Sequence, residues 1–98
     1  MKFARNVHFQ LKNGKEQEFN KLVEAEVMPM LRKQNGFKES MTLIDGNRAL
    51  GISLWDNRGS AETYESSSYP RLLEKLAPVL EGTPRVETYT VGTTTLRA

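Results

Sequence analysis

The residues of this chain that can do chemistry are Arg5, Glu26, Trp55, Tyr64 and Tyr69. Arg5 shares a strand face with Phe3, Val7 and Phe9, so its guanidinium points toward the apolar side. Glu26 falls in a helical stripe beside Leu22, Val23 and Met30. A buried charge without a partner is costly. Two arrangements satisfy both residues: an Arg5–Glu26 ion pair in a pocket wall, or both long side chains reaching water at their tips. In the first, Arg5 can orient an anionic or phenolic ligand. Trp55 can stack on a flat aromatic ligand and donate one hydrogen bond, or it can plug the seam between sheet and helices. Tyr64 and Tyr69 flank Ser66-Ser67-Ser68. Both hydroxyls can face the same pocket, or one ring packs and the other is solvated.

Other chemistries lack their parts. There is no cysteine, hence no disulfide, thiolate metal site or thiol nucleophile. The single histidine, His8, has no serine, cysteine or second histidine near it in sequence, and scattered carboxylates do not complete a zinc set, so no metal is expected. By register Asn6 and His8 lie on the strand face opposite Arg5, where they are candidates for a dimer interface. No glycine-rich phosphate loop and no Gly-x-Ser-x-Gly turn is present.

The elements that must position these residues follow from periodicity. Residues 2–11 alternate and predict a strand closed by Asn13-Gly14. Residues 15–34 change to helical period, with Phe19, Leu22, Val23, Val27, Met30 and Leu31 as the apolar stripe. Pro29 should kink or loosen the last turns, and Asn35-Gly36 should end the helix. Residues 37–44 and 48–56 predict a hairpin around Asp45-Gly46-Asn47. Its first strand places Phe37, Met41 and Leu43 on one face. Its second places Leu50, Ile52 and Leu54 on one face and Ala49, Gly51, Ser53 and Trp55 on the other. Residues 57–82 predict two helical pieces, capped by Ser60 and Ser68, with Pro70 in the second's first turn and Pro78 bending its end. Arg85 to Val91 closes as a strand.

The order β-α-β-β-α-β predicts an α+β, ferredoxin-like domain with a four-stranded antiparallel sheet and helices on one face. With 98 residues, one domain spanning 1–98 is expected. The uncovered face, carrying Asn6 and His8, is most simply covered by a second copy, so a homodimer is expected. Fourteen basic and 12 acidic residues give a net charge of +2, spread without a run of five like charges. Nucleic-acid binding therefore has no support. The N-terminus lacks the apolar core of a signal peptide, and no stretch approaches the roughly 18 apolar residues of a membrane span. A soluble, cytoplasmic protein that does not engage a membrane is expected.

The run Val27-Met28-Pro29-Met30-Leu31-Arg32-Lys33-Gln34-Asn35-Gly36-Phe37 resembles the Pro…Gly-Phe junction of the antibiotic-biosynthesis-monooxygenase-like (ABM-like) dimeric α+β barrel proteins. So do Leu54-Trp55-Asp56 with the following Ser60-Ala61-Glu62-Thr63-Tyr64, and the closing Pro84-Arg85-Val86-Glu87-Thr88-Tyr89. The resemblance covers nearly the whole chain. It implies the fold, a dimer, a small aromatic ligand and, among the family's activities, oxidation of phenols or anthrones by dioxygen with no cofactor. Haem-degrading members need an Asn, a Trp and a His where this chain has Val7, Tyr64 and a residue near Glu74, which argues against haem. Anthrone-oxidising members pair a strand-end Trp with an Asn four residues earlier; Trp55 matches and Gly51 does not. Quinol-oxidising relatives carry a His where this chain has Ser67-Ser68-Tyr69-Pro70. The resemblance thus implies a cofactor-independent monooxygenase of a small aromatic, phenolic or quinol substrate. The other reading is a non-catalytic dimeric small-molecule-binding or stress-related protein of the same fold.

Overall fold

A computed structural model describes residues 1–96. The alternating N-terminal segment forms β1 (Phe3–Gln10). The first helical stretch is α1 (Glu16–Leu22), a π-helical turn (Val23–Val27) and α2 (Met28–Arg32) in succession. The hairpin is β2 (Phe37–Asp45) and β3 (Arg48–Trp55), followed by α3 (Arg58–Ser67), α4 (Tyr69–Leu76), a 3-10 turn (Ala77–Val79) and β4 (Arg85–Thr90). All strand neighbours are antiparallel, in the order β2-β3-β1-β4. This is the α+β, ferredoxin-like arrangement expected from the element order. No helix among the described residues is long and apolar enough to cross a membrane.

Pro29 acts further upstream than expected. It has no N–H to give the carbonyl of Ala25, and its ring crowds that carbonyl. The chain takes up the mismatch in a wider turn, in which Met28 N–H bonds the carbonyl of Val23, five residues back. The extra residue rotates side chains off the 3.6-residue stripe.

A second departure lies in β2. Phe37 and Glu39 pair with the successive residues Trp55 and Leu54, so Lys38 is an extra residue, a bulge. Because side chains alternate with period two, the bulge moves Phe37 to the helix side and leaves Met41 and Leu43 on the open side. Helix capping also differs. Asn57, not Ser60, caps α3, its Oδ1 accepting from Ser60 N–H at 2.9 Å. The helix therefore starts three residues earlier. Ser68 stays in helical conformation and makes no cap; its hydroxyl accepts from Gln34 Nε2 at 3.2 Å instead.

The helix-side face of the sheet packs into two clusters. One gathers Leu11, Phe19, Val23, Ala49, Leu76, Val79 and Leu80. The other gathers Phe3, Leu31, Trp55, Ala61, Tyr64 and Leu72. On the open side Met41, Leu43 and Tyr89 stand about half exposed.

Gly36 joins α2 to β2 with φ of +80°, and its carbonyl accepts from Asp56 N–H at 2.7 Å. A Cβ there would approach Ser60 Cβ to 2.7 Å. Left-handed backbone and overpacking then act together, so Gly36→Ala is expected to lose about 2–4 kcal/mol. A urea midpoint within error of wild type would contradict this.

Candidate functional site

A cavity of about 60 Å³ lies in the gap between the two core clusters. Its floor is the helix-side face of β2 and β3, where Gly51 contributes no side chain. An added Cβ at Gly51 would touch the Phe9 ring at 3.4 Å. Val23, Val27 and Met28, from the π turn and the start of α2, form one wall. Across the mouth from them stands the edge strand β2, and Ser40 Oγ donates to Met28 Sδ at 3.3 Å. The lining is apolar except for Arg5, Ser40, Thr42, Ser53, Tyr64 and Tyr69.

Arg5 is 2% exposed. Alternation on β1 places it between Phe3 and Val7, facing the helices, as its sequence position implies. Its guanidinium carbon lies 5.2 Å from the centroid of Tyr64 and 4.5 Å from that of Tyr69. Nη2 donates to Glu65 Oε1 at 3.0 Å. The Nε–H is buried with no hydrogen-bond partner, and so is the hydroxyl of Tyr69. Two residues of the same apolar lining thus each keep a buried polar group without a partner. Native proteins rarely leave such groups unpaired, and each calls for an explanation such as a ligand.

The Arg5–Glu26 pair is not formed. Glu26 sits in the π turn, where the wider turn rotates it toward α4, and its Oε2 lies 3.5 Å from Lys75 Nζ. Glu65 is the partner that sequence reasoning missed. It lies four residues after the buried Ala61 and next to Tyr64, on the rim of the buried face of α3, which was the available signal.

Trp55 is fully buried, and its Nε1–H donates to Ser53 Oγ at 2.9 Å. It is sandwiched in an aromatic row. Phe37 meets it edge-on at 5.5 Å, Tyr64 follows at 5.1 Å, and Tyr69 lies 6.1 Å beyond Tyr64. Trp55 does not line the cavity; Tyr64 and Tyr69 do. Asn6 and His8 lie on the open face, paired in register with Ile52 and Leu50 of β3. His8 Nε2 contacts Glu87 Oε1 at 2.7 Å, and this contact holds the Glu87 carboxyl below its usual range. Among the described residues no group of three His, Asp or Glu side chains is placed to hold a metal ion.

Burial pushes the Tyr64 phenol up to about 12, against the opposing pull of Arg5, and pushes Tyr69 up as well. Neither hydroxyl is ionised near neutrality, so both serve as donors rather than bases. Folded Tyr64 holds its proton above the value of about 10 for an unfolded tyrosine. Its contribution to stability is therefore complete below pH ~10 and is lost as the pH rises toward the folded value. Alkaline unfolding is expected in that window and should be weaker in Tyr64→Phe. Identical alkaline profiles for the two proteins would contradict the assignment.

No protein-family model matches the chain, and no curated protein matches it. Solved structures do. SnoaB of Streptomyces nogalater, a cofactor-independent oxygenase, superposes with a TM-score of 0.79 at 15% identity, covering 98% of each chain. The monooxygenase of the ActVA-Orf6 gene of Streptomyces coelicolor, solved with the ligand nanaomycin D, gives 0.80 at 19% identity over 98% of this chain and 92% of that one. This chain has their fold. NE2512 of Nitrosomonas europaea, a protein of unknown function, has the same fold, with a TM-score of 0.82 at 18% identity over 99% and 95% of the two chains. At such identities the likeness concerns the backbone. The chain fold that the sequence resemblance implied is the one observed.

Proposed function

We propose that this protein is a cofactor-independent monooxygenase of a small aromatic, phenolic or quinol substrate, acting as a cytoplasmic homodimer. One observation carries the reading: Arg5 and Tyr69 both belong to the lining of one apolar cavity, and each keeps a buried polar group, the Arg5 Nε–H and the Tyr69 hydroxyl, without a hydrogen-bond partner. An acidic oxygen on a flat ring supplies what both lack. Beside a buried guanidinium the phenolate is favoured over the phenol. No carboxylate or imidazole lines the cavity, so the substrate is activated by this electrostatic bias rather than by a protein base. The electron-rich phenolate passes one electron to dioxygen, and recombination forms the new C–O bond. Loss of water leaves a carbonyl, so one oxygen atom enters the product and the other leaves as water. The protein orients the ring and excludes solvent. The apolar side chains on the open sheet face, Met41, Leu43 and Tyr89 among them, support the dimer.

Oxygen uptake with a panel of hydroquinones and an anthrone tests this, alongside light scattering for the dimer. Uptake that disappears in Arg5→Met supports the reading. No uptake, or uptake indifferent to Arg5, overturns it. A specific observation favours the second reading, a non-catalytic small-molecule-binding protein: the cavity, at about 60 Å³, is below the ~150 Å³ that takes a benzene ring. Turnover requires the wall formed by the π turn and β2, or the polar wall at Arg5, to give way.

A further inference from the structure

Arg5 borders two voids. On its inner side is the apolar cavity. On its outer side is a groove of about 110 Å³ where β1 meets α3, lined by Phe3, Arg58, Glu62, Glu65 and Thr88. Neither void alone reaches the ~150 Å³ of a ring-sized cavity, so a ring fits only where the partition between them opens. Between them stands Arg5, held on the groove side by Glu65 as an ion pair. Its two halves are unequal, with the Arg5 side chain 3% exposed and that of Glu65 50% exposed. If they part, Glu65 gains water, but Arg5 is left buried with its Nη2 and Nε–H both unpaired. Arg5 therefore needs a replacement anion, whereas Glu65 does not need a replacement cation. The opposite charges nearby, Arg58 and Glu62, face each other at 3.9 Å on the outer surface and bring no net charge to the groove.

We infer that Glu65 is a resident stand-in for the ligand's own anion: a flat ring bearing an acidic oxygen displaces Glu65 from Arg5 and lies across the opened partition. This rests on the cavity being the ligand site, and it adds a selection rule: anionic aromatics are preferred over neutral ones of equal size, and Glu65 sets the strength of that preference. Phenolate and carboxylate share the required chemistry, and both belong in the test.

Equilibrium dialysis of the full chain against 4-nitrophenol (at a pH where it is ionised), 4-nitrobenzoate and the neutral 4-nitrobenzyl alcohol reads this without any turnover. Glu65→Gln removes the competing charge and keeps an oxygen that can accept from Arg5 Nη2; because the buried guanidinium loses its counter-ion, circular dichroism establishes that the variant is folded before the probes are compared. The substitution should tighten anionic probes by about two- to fivefold, the range of a part-exposed ion pair, and leave the alcohol unchanged. A gain for the phenolate alone identifies a ring hydroxyl as the ligand group, and a gain for the carboxylate alone identifies an acid. Anion binding that is unchanged or weaker in Glu65→Gln, or an equal gain for the alcohol, overturns the inference while leaving the cavity as a ligand site. Failure of every probe to bind either protein overturns both.

Discussion

Trp55→Ala is expected to lose about 3–5 kcal/mol of folding stability, the usual toll for removing a fully buried large aromatic. A domain of this size holds roughly 5–15 kcal/mol in total, so the variant should be close to unfolded at room temperature. The indole touches Phe37 and Tyr64 on its two sides and bonds Ser53 below. Its loss opens a void at the centre of one core cluster and frees Tyr64, which forms part of the cavity wall. Trp55→Phe keeps an aromatic in the row and forfeits chiefly the bond to Ser53, about 1–2 kcal/mol. Denaturant titration followed by circular dichroism separates the two. A loss below about 1.5 kcal/mol for the alanine variant would mean that the packing around Trp55 is not as described.

Arg5→Met should behave in the opposite way, keeping or gaining stability while losing the site. The native side chain sits 2% exposed with one of its donors unpaired, which is a standing cost of about 1–3 kcal/mol. Methionine fills similar space without that cost, and Glu65, half exposed, returns to water. Replacing buried charged groups with apolar ones of like volume is often neutral or stabilising, by up to about 4 kcal/mol. Against this stand the guanidinium's contacts over Tyr64 and Tyr69, about 0.5–2 kcal/mol each. The balance lies near zero or on the stable side. In the same variant binding of anionic aromatics, and any oxygen uptake, should vanish. A variant that loses more than about 2 kcal/mol would assign Arg5 a structural role. A residue that the fold does not need but the cavity does is the pattern expected of a functional group held at some expense to stability.

The elements were legible in the sequence wherever local rules act alone. Period two over Phe3, Val7 and Phe9, the Asp45-Gly46 turn and the leucine stripe of α4 each depend on near neighbours only. The departures come from small local changes, two of them a single extra residue. The bulge at Lys38 reverses the face of everything before it in β2, so Phe37 joins the core while Met41 does not. The π turn before Pro29 advances the helix by one residue, and that alone carries Glu26 away from Arg5 to Lys75. The cap on α3 lies at Asn57, whose side chain accepts from Ser60 N–H, so the helix begins before Ser60 and Ser60 falls inside its first turn, where it cannot cap.

By itself, then, the sequence determined the β-α-β-β-α-β order, the face on which Arg5 lies, and the need for something to balance a charge on that face. Periodicity encodes which side of an element a residue occupies, and burial physics says a charge there must be satisfied. Only the tertiary structure decided by what. Glu65 lies 60 positions from Arg5 along the chain, and no local pattern encodes a contact across that distance. The same holds for the unpaired Nε–H of Arg5 and the unpaired hydroxyl of Tyr69, on two residues of one cavity lining. Whether a polar atom finds a partner depends on the last ångström of packing between α3, α4 and the sheet, and that is settled by the sum of all core contacts.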